Sequence, residues 1–581
     1  MKNKTIRILS IFTIALALVV AACKKNFLEQ ETVGLLTEAE ASNIKGANQF
    51  LIATYAQLKG INWEGGISNW VYGSIVGGEA NKGSDAGDQN AIVPIQNYTP
   101  SPTNGYFNTK WRSLYEGIAR SNATIRILSK LTSADISDAD KNQMLAEARF
   151  LRGFYHFEAI KMWNNVPYID ETIEFSAGNF RVSNKENIWP QIMADLDFAG
   201  NTLAEKPSAV GRINKWGAIT MTAKALLYQG KYAEARTLFT DVINNGKNSR
   251  GDKYDLAPSF HDNFNASREN APEVRAESVF AYEASVNDGS GGNNANIDQV
   301  LNFPYNGGPG RCCGFFQPTF EFVNSFRTNA LGLPLLDGSY NVGANQVKND
   351  QGILSKDPFT PDQGNLDPRL DWTVGRRGIP YLDWGPHPGS DWIRDQNFGG
   401  PYAPKKMTYY QSQEKTLSDA TNWASGLTAT NFKIMRFSDV LLMAAEAEIE
   451  AGTLEKAREY INLVRARAAN PTTFVSGANA KYIIGLYNTP FADQASARAA
   501  VRFERKLELG MEGHRFFDLV RWGIADQEIN AFLSYEKTKL PSTYGTATFV
   551  KGMNEFFPIP QAQIDLQTTG GTSNLTQNPG Y

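Results

Sequence analysis

Two adjacent cysteines are the residues of this chain whose type and spacing most directly allow covalent chemistry. Cys312 and Cys313 are two of only three cysteines among 581 residues, and an oxidising compartment permits a disulfide between them. Adjacent Cα atoms lie about 3.8 Å apart across a trans peptide, below the usual disulfide range of about 4.4–6.8 Å, so such a ring is strained. The sequence leaves two alternatives open, a vicinal disulfide and a pair of free thiols.

The third cysteine, Cys23, follows a segment with the pattern of a secretory signal. Basic residues at positions 2, 4 and 7 precede an apolar run at 8–20, which is shorter than the roughly 20 residues that span a bilayer. The last four residues, Val-Ala-Ala-Cys at 20–23, resemble the bacterial lipobox, in which the cysteine thiol is alkylated by diacylglycerol before cleavage. We expect residues 1–22 to be removed and Cys23 to carry a lipid anchor. The alternative is an ordinary signal whose small-residue cleavage site adjoins a cysteine.

Common catalytic and metal-binding motifs are missing from the mature sequence. It has no H-E-x-x-H, C-x-x-C, G-x-S-x-G or G-x-x-x-x-G-K-[ST] motif, and His156 and His514 are interpreted as packing residues of amphipathic helices. We therefore expect no catalytic residue, no metal and no cofactor. A two-carboxylate glycoside hydrolase stays open as an alternative, because 60 acidic residues always allow a suitable pair. A net charge of −3 argues against nucleic acid as a partner.

Two further charged segments suggest structural roles. Residues 502–521 contain arginines and acidic residues, with opposite charges at spacings of three and four, which predicts a helix stabilised by an ion-pair network. Asp85, Asp88 and Asn90 could hold calcium, but the segment lacks the EF-hand pattern and its terminal glutamate. A solvated turn is the interpretation that we favour for it.

Helical blocks at 141–163, 216–245 and 438–468 supply the framework on which such residues are placed. The second and third blocks align when Gly230 is matched with Gly452, which superposes alanines 223, 225 and 235 on alanines 445, 447 and 457. Small residues at fixed positions let two helices approach closely, and the glycine permits the reversal between them. The pattern predicts tetratricopeptide-like helical hairpins.

The stretch between these hairpins has a different composition. Residues 263–429 are rich in glycine, proline, asparagine and aromatic residues, which favours ordered irregular loops over long elements. Short strand-like runs occur at 278–282 and 371–374. Long ordered loops on a helical scaffold are a common location for binding sites.

Several blocks, taken in order, resemble the SusD/RagB family of outer-membrane nutrient-binding lipoproteins. They read AEARFLRGFYHF at 146–157, VP at 166–167, KALLYQGKYAEA at 224–235, RFSDVLLMAAEA at 436–447, ERKLELGMEGHRFFDLVRWG at 504–523, PIP at 558–560 and LTQNPGY at 575–581. The resemblance covers the mature chain, 23–581. It implies a mainly α fold with a tetratricopeptide-like scaffold at about 39–262 and 430–525, a loop-rich ligand-binding insertion at about 263–429 and a few short strands.

The same resemblance implies a function. Members of the family act without catalysis as lids on a SusC-like TonB-dependent transporter, where they capture oligosaccharides or polysaccharides at the cell surface. We therefore expect an outer-membrane protein that is lipid-anchored and faces the cell exterior, with a glycan as its ligand and the transporter as its partner. A peptide-capturing lid and, as a weaker alternative, a lipid-anchored glycoside hydrolase stay open. Lys24 and Lys25 depart from the acidic residues that often follow the lipidated cysteine of surface-exported members.

Candidate ligand-binding residues are aromatic side chains set among polar residues in loops, because sugars stack on aromatic faces and exchange hydrogen bonds with amides and charged groups. Any one of these aromatics could instead fill the core. The candidates form three clusters: Trp63, Trp70, Tyr72, Glu79, Asn81 and Lys82; then Tyr305, Arg311 and Phe315 around the two cysteines; then Tyr381, Trp384 and Trp392.

Overall fold

Helices dominate the computed structural model, which describes residues 42–174, 177–419 and 426–581. The predicted lipidation site, Cys23, lies outside the described residues. The helices of seven or more residues are α1 (Ile44–Ala56), α2 (Gly105–Lys130), α3 (Asp138–Trp163), α4 (Trp189–Thr202), α5 (Lys215–Tyr228), α6 (Tyr232–Asn245), α7 (Phe437–Ala451), α8 (Leu454–Ala468), α9 (Gln494–Glu508), α10 (Arg515–Arg521) and α11 (Ala525–Lys539).

Polar side chains fix where several of these helices begin. The side chains of Asn104, Ser137 and Thr453 accept hydrogen bonds from backbone N–H groups in the first turns of α2, α3 and α8. Each of these contacts satisfies a donor that has no partner within the helix. The helix of the predicted block at 141–163 therefore begins at its capping residue, Ser137.

The helices α1 to α8 pack one on the next in chain order, and α9 packs on α7. Gly230 has a φ of +70° in the turn between α5 and α6, a conformation that favours glycine. Ala223 of α5 and Ala445 of α7 have no exposed surface, as close helix packing requires. Because α6 also packs directly on α7, the stack continues across the long intervening segment. The predicted mainly α, tetratricopeptide-like scaffold is confirmed.

The segment between α6 and α7 contains only short elements in its described residues. The strands of the whole described chain are β1 (Ala80–Gly83), β2 (Ser278–Tyr282), β3 (Phe315–Pro318), β4 (Asn365–Leu366), β5 (Val374–Gly375), β6 (Ala403–Pro404), β7 (Phe432–Arg436), β8 (Lys481–Tyr482), β9 (Thr568–Thr569) and β10 (Thr572–Ser573). They form two-stranded pairs: β1 with β3, β2 with β7, β5 with β6 and β9 with β10 antiparallel, and β4 with β8 parallel. Short helices lie at Ile92–Gln96, Pro272–Arg275, Phe320–Asn324, Leu370–Thr373, Gln396–Gly399, Pro541–Tyr544 and Gln561–Leu566.

The strand predicted at 278–282 is β2, whereas the strand predicted at 371–374 is wrong. Leu370–Thr373 is a helical turn and only Val374 continues into β5. The buried carboxylate of Asp371 pairs with Arg376 at 2.6 Å and accepts a hydrogen bond from Tyr482. These contacts within and around the turn outweigh the extended preference of the apolar residues.

A buried ion-pair network joins the loop segment to the helical stack, with Glu508 of α9 at its centre. The Glu508 carboxylate contacts Arg369 of the loop segment at 2.9 Å, Arg436 of β7 at 2.5 Å and Arg467 of α8. All four side chains are buried. The prediction of a structural network across 502–521 is confirmed by the ion pairs of eight of its nine charged residues, Arg502 being the exception among the described ion pairs: Glu504, Arg505, Lys506, Glu508, Glu512, Arg515, Asp518 and Arg521.

The two histidines differ in position. His156 lies inside α3, where its Nδ1 is 2.9 Å from the Arg152 carbonyl oxygen and its Nε2 accepts from the Ile169 N–H. Burial lowers the pKa of His156 to about 4, which keeps it neutral as a packing residue. His514 stands at the N-cap of α10 rather than within a helix, because the irregular segment at 509–514 separates α9 from α10 and interrupts the predicted helix. Among the described residues, no helix has the length and apolar character that crossing a membrane requires.

Candidate functional site

The first predicted cluster lies largely in the core. Trp70 and Tyr72 belong to a π-helical turn, Trp70–Ile75, whose residues are all buried. The Trp70 ring packs edge-on against Phe316, with ring centroids 5.6 Å apart, and burial raises the pKa of Tyr72 well above its ordinary value. These two side chains cannot reach a ligand at the surface. The prediction of ligand contact is corrected for both, since their apolar area is used in packing.

The polar members of that cluster are also buried, where they hold backbone rather than ligand. Glu79 accepts from the Met511 N–H at 2.9 Å, and burial raises its pKa to about 7. Asn81 donates to the Gly399 carbonyl at 2.8 Å. The Lys82 ammonium donates to the backbone carbonyls of residues 83, 85 and 88 at 3.1, 2.5 and 2.7 Å, and burial lowers its pKa to about 8. Lys82 therefore supports the 83–88 turn from beneath, while Glu79 and Asn81 hold the backbone at Met511 and Gly399.

Three of the remaining aromatic candidates are buried and support the exposed loops that pack on them. Phe315 lies in β3, Tyr381 is completely buried and Trp392 is nearly so. The Tyr381 and Trp392 rings pack edge-on with centroids 5.4 Å apart. A Cβ atom on Gly308 would stand 3.1 Å from the Trp392 ring, so a glycine lets this loop lie flat on it. Direct ligand contact is corrected to a supporting role for Phe315, Tyr381 and Trp392.

The predicted residues that retain accessible surface are Trp63, Tyr305, Arg311 and Trp384. Trp63, Tyr305 and Trp384 are partly exposed, and 61% of the Arg311 side chain is accessible. The backbone N–H of Tyr305 donates to the Trp392 carbonyl at 2.9 Å. This bond brings the second and third clusters together, although 87 residues separate them in the chain.

Trp384 is fixed by Tyr409. Its Nε1 donates to the Tyr409 carbonyl oxygen at 3.0 Å, and the two rings meet at a centroid distance of 5.9 Å. The Tyr409 hydroxyl accepts from the Gly310 N–H at 3.0 Å. The same tyrosine therefore holds Trp384 and the glycine-rich loop in one fixed relation.

Arg394 connects this region to the acidic turn of the first cluster. Its guanidinium donates to Asp85 and Asp88, each at 2.7 Å, and lies 5.6 Å from the centre of the Tyr305 ring. The Asp85 and Asp88 carboxylates are thus paired with an arginine at their surface. Among the described residues, no group of three or more histidine, cysteine or acidic side chains is arranged to hold a metal ion.

Cys312 and Cys313 are joined by a disulfide and are partly exposed beside Tyr305. The Asn306 N–H donates to the Cys312 carbonyl at 3.3 Å. Arg311, the preceding residue, pairs with Glu414 at 2.9 Å. The bridged pair therefore belongs to a loop that is fastened on both sides.

We call the accessible area formed by these contacts the loop surface. Its residues are Asp85, Asp88, Tyr305, Arg311, Cys312, Cys313, Trp384, Arg394 and Glu414. Sequence reasoning did not name Arg394 and Glu414 as site residues. Arg394 stands two positions after Trp392, and a charge beside a loop tryptophan could have indicated its place in the site. The sequence around Glu414 contains no comparable feature. Partly exposed rings beside guanidinium and carboxylate groups are suited to stacking and hydrogen bonding with a polar ligand.

Comparison with known proteins identifies the family of this chain. A family model described as the SusD family matches residues 276–581, more than half of the sequence. The chain belongs to the SusD family. A second model, described as starch-binding associating with outer membrane, matches residues 49–227 of this SusD-family chain, and the predicted family resemblance is confirmed.

Relatives extend over most of the chain. A SusD-like protein of Formosa agariphila is 26% identical over 502 residues, which cover 84% of this chain and 81% of that protein. A SusD homologue of Bacteroides thetaiotaomicron has a TM-score of 0.67 at 21% identity, covering 94% of this chain and 99% of that one. A structure described as a laminarin binding SusD-like protein has a TM-score of 0.64 at 23% identity, with 93% and 100% covered. These structural likenesses establish the SusD fold.

Proposed function

We propose that this SusD-family chain captures glycans on its loop surface and delivers them, without catalysis, to a SusC-like TonB-dependent transporter. In this proposal, lipid on Cys23 holds the protein at the outer membrane, facing the cell exterior. The observation that carries the proposal is the placement of two partly exposed rings, Tyr305 and Trp384, among paired charges on one fixed surface. The structural relative described as laminarin binding supports a glycan as the ligand.

The geometry of the loop surface favours reversible binding. The Trp384 ring is held by its own hydrogen bond and by Tyr409, so little side-chain entropy is lost when a sugar face stacks on it. Arg394 and Arg311 are already paired with carboxylates, and both members of each pair retain accessible surface for sugar hydroxyls. Modest affinity suffices if the transporter lies beneath the bound glycan, because proximity raises the effective concentration.

Affinity electrophoresis tests the glycan proposal directly. The mature protein runs through native gels containing laminarin, starch or another soluble polysaccharide, and retardation reports binding. We expect Trp384→Ala and Tyr305→Ala to weaken retardation by roughly tenfold, the loss of about 1.4 kcal/mol of contact. Trp189→Ala is the matched control, since Trp189 is a partly exposed tryptophan of α4, far along the chain from the loop surface. Equal retardation of all three variants would contradict the assigned surface.

Two alternatives have different outcomes in the same samples. A glycoside hydrolase would release new reducing ends beyond one equivalent per protein, which would refute the non-catalytic proposal. A peptide-capturing lid would give no retardation in any glycan gel but would bind peptides from a digest. Co-purification of the full-length protein with a TonB-dependent barrel, and its loss in Cys23→Ala membranes, tests the partner and the anchor.

A further inference from the structure

A cavity of about 650 Å³ lies apart from the loop surface, between one face of α9, the helix α11 and the loop at 336–341. Its volume is within the range of about 300–1,000 Å³ that is typical of small-molecule sites. None of its lining residues belongs to the loop surface. The following side chains supply its charges: Glu321, Asp337, Arg498, Arg502, Lys506, Arg515 and Glu528.

Three of the four cations in this cavity already have anionic partners. Arg498 is paired through two nitrogens with Glu450, each at 2.5 Å. The Lys506 ammonium contacts both oxygens of Glu321 at 2.6 and 2.8 Å. Arg515 lies 3.0 Å from Glu528. These groups form the charged walls of the cavity and are neutralised locally.

Arg502 is the exception. In the described part of the chain it forms no ion pair, and its guanidinium carbon lies over the Trp522 ring, 5.0 Å from the ring centre. The acid with the largest electrostatic influence on it is Glu446. However, both oxygens of Glu446 are bound by Arg521, at 2.5 and 2.8 Å, and one also accepts from the Trp522 Nε1. The neighbouring carboxylate is therefore saturated, and Arg502 keeps donors for a group that enters the cavity.

The rest of the lining suits a sugar ring better than a bare anion. Phe503 and Phe532 contribute aromatic rings to the lining, and the partly exposed Asn341 and exposed Glu528 contribute hydrogen-bonding groups. Phe503 is held edge-on against Tyr340, with ring centroids 5.7 Å apart, while the Tyr340 hydroxyl donates to Glu321. A hexose with one carboxylate combines an apolar face, several hydroxyls and a planar anion, which a guanidinium binds through two parallel hydrogen bonds.

We propose that this cavity is a second carbohydrate site, which binds a sugar acid with its carboxylate on Arg502 and its ring against Phe503. The site is separate from the loop surface and does not depend on the proposed glycan capture there. It gives the protein a means of distinguishing acidic from neutral sugars.

Calorimetric titration of the mature protein tests this assignment with glucuronate and galacturonate, with glucose and galactose as neutral counterparts and with inorganic sulfate as a bare oxyanion. We expect saturable binding of at least one sugar acid, with its neutral counterpart weaker by about tenfold or more, the scale of one charge-assisted hydrogen bond. Arg502→Gln should weaken the sugar acid by a similar factor. Arg112→Gln is the matched control, because Arg112 is an exposed arginine of α2 outside the cavity; it should leave binding unchanged.

Three results would overturn the assignment: equal affinity for acidic and neutral sugars, equal binding by the Arg502→Gln and Arg112→Gln variants, or sulfate binding as tightly as the sugar acid. Trp384→Ala separates this inference from the proposed function, since it should weaken polysaccharide retardation and leave sugar-acid binding intact. Arg502→Gln should do the opposite. Thermal unfolding of Arg502→Gln should match the parent protein, because that arginine forms no ion pair with any described residue whose loss would destabilise the fold.

Discussion

Neutralising Glu508 should detach the loop segment from the helical stack. Its carboxylate joins Arg369 of the loop segment to Arg436 and Arg467 of the scaffold, and all of these side chains are buried. Burial opposes the ionisation of Glu508, but the guanidinium groups of Arg467, Arg436 and Arg369 outweigh it and hold the pKa of Glu508 well below its ordinary value. Glu508→Gln preserves the shape of the side chain and removes its charge.

The expected cost follows from the partners that remain. Arg369 retains Asp367 and Glu504, and Arg436 retains Glu277 and Glu512. Arg467 keeps only Glu277 among its described ion pairs. Breaking a buried ion pair costs about 3–5 kcal/mol, and the surviving carboxylates place this variant at the lower end. We therefore expect the free energy of unfolding to fall by roughly 3 kcal/mol.

Equilibrium urea unfolding at pH 7, followed by tryptophan fluorescence, measures the loss. The matched control is Glu459→Gln, which removes an exposed carboxylate paired with Lys456 at 2.8 Å; its cost should be roughly 0.5 kcal/mol or less. Hydrogen exchange should accelerate around Arg369 in the Glu508 variant. Because the native pKa of Glu508 is depressed, its contribution is present above the unfolded value of about 4.5 and is lost as the pH falls through the native value.

The reasoning would be refuted if Glu508→Gln cost no more than Glu459→Gln. It would also be refuted if the variant lost stability without faster exchange around Arg369, since the network would then stabilise the helices without fastening the loop segment.

Three further predictions concern other parts of the molecule. Burial raises the pKa of Glu536 to about 8, so the parent protein should lose stability as the pH rises from about 4.5 to 8. Glu536→Gln should flatten this pH dependence of thermal unfolding between pH 5 and pH 9. Parallel slopes for the variant and the parent protein would contradict the prediction. Lys82→Met keeps the apolar stem but removes the three donors beneath the 83–88 turn. The free energy of unfolding in urea should therefore fall by roughly 2 kcal/mol, and glycan retardation should weaken. An unchanged unfolding midpoint would show that the ammonium does not fix the turn. Alkylation of the unfolded protein without reductant should leave Cys312 and Cys313 unlabelled, and mass spectrometry should detect two alkyl groups there only after reduction; labelling without reductant would contradict the disulfide.

Helical periodicity and small residues made the scaffold predictable. Apolar residues recur at spacings of three and four through α3, and the turn at Gly230 requires a conformation that glycine adopts readily. These signals are local, so each hairpin could be placed before its partners were known. The presence of an ion-pair network was predictable, because charges at helical spacing leave few other interpretations. The pairing of Glu504 with Arg369, which is 135 residues away in the chain, was not predictable.

Exposure within the loop surface was not predictable from the sequence. Trp70 and Trp384 are both tryptophans among polar and glycine-rich neighbours, yet Trp70 is buried and Trp384 is partly exposed. Irregular loops have no period that assigns alternate residues to core and solvent. The exposure of a loop residue depends on which distant segment packs on it, as the loop around Tyr305 packs on Trp392.

The sequence by itself therefore determined the helical-repeat scaffold, the family and the chemical types present in the loops. Only the tertiary structure decided that Tyr305, Trp384 and Arg394 share one surface and that Lys82 supports a turn from beneath. It also decided that Arg502, within the described residues, lacks an ion pair of the kind that its neighbours form. The physical reason is range: helix formation is governed by neighbours within a few residues, whereas burial and charge pairing in loops are governed by contacts between distant parts of the chain.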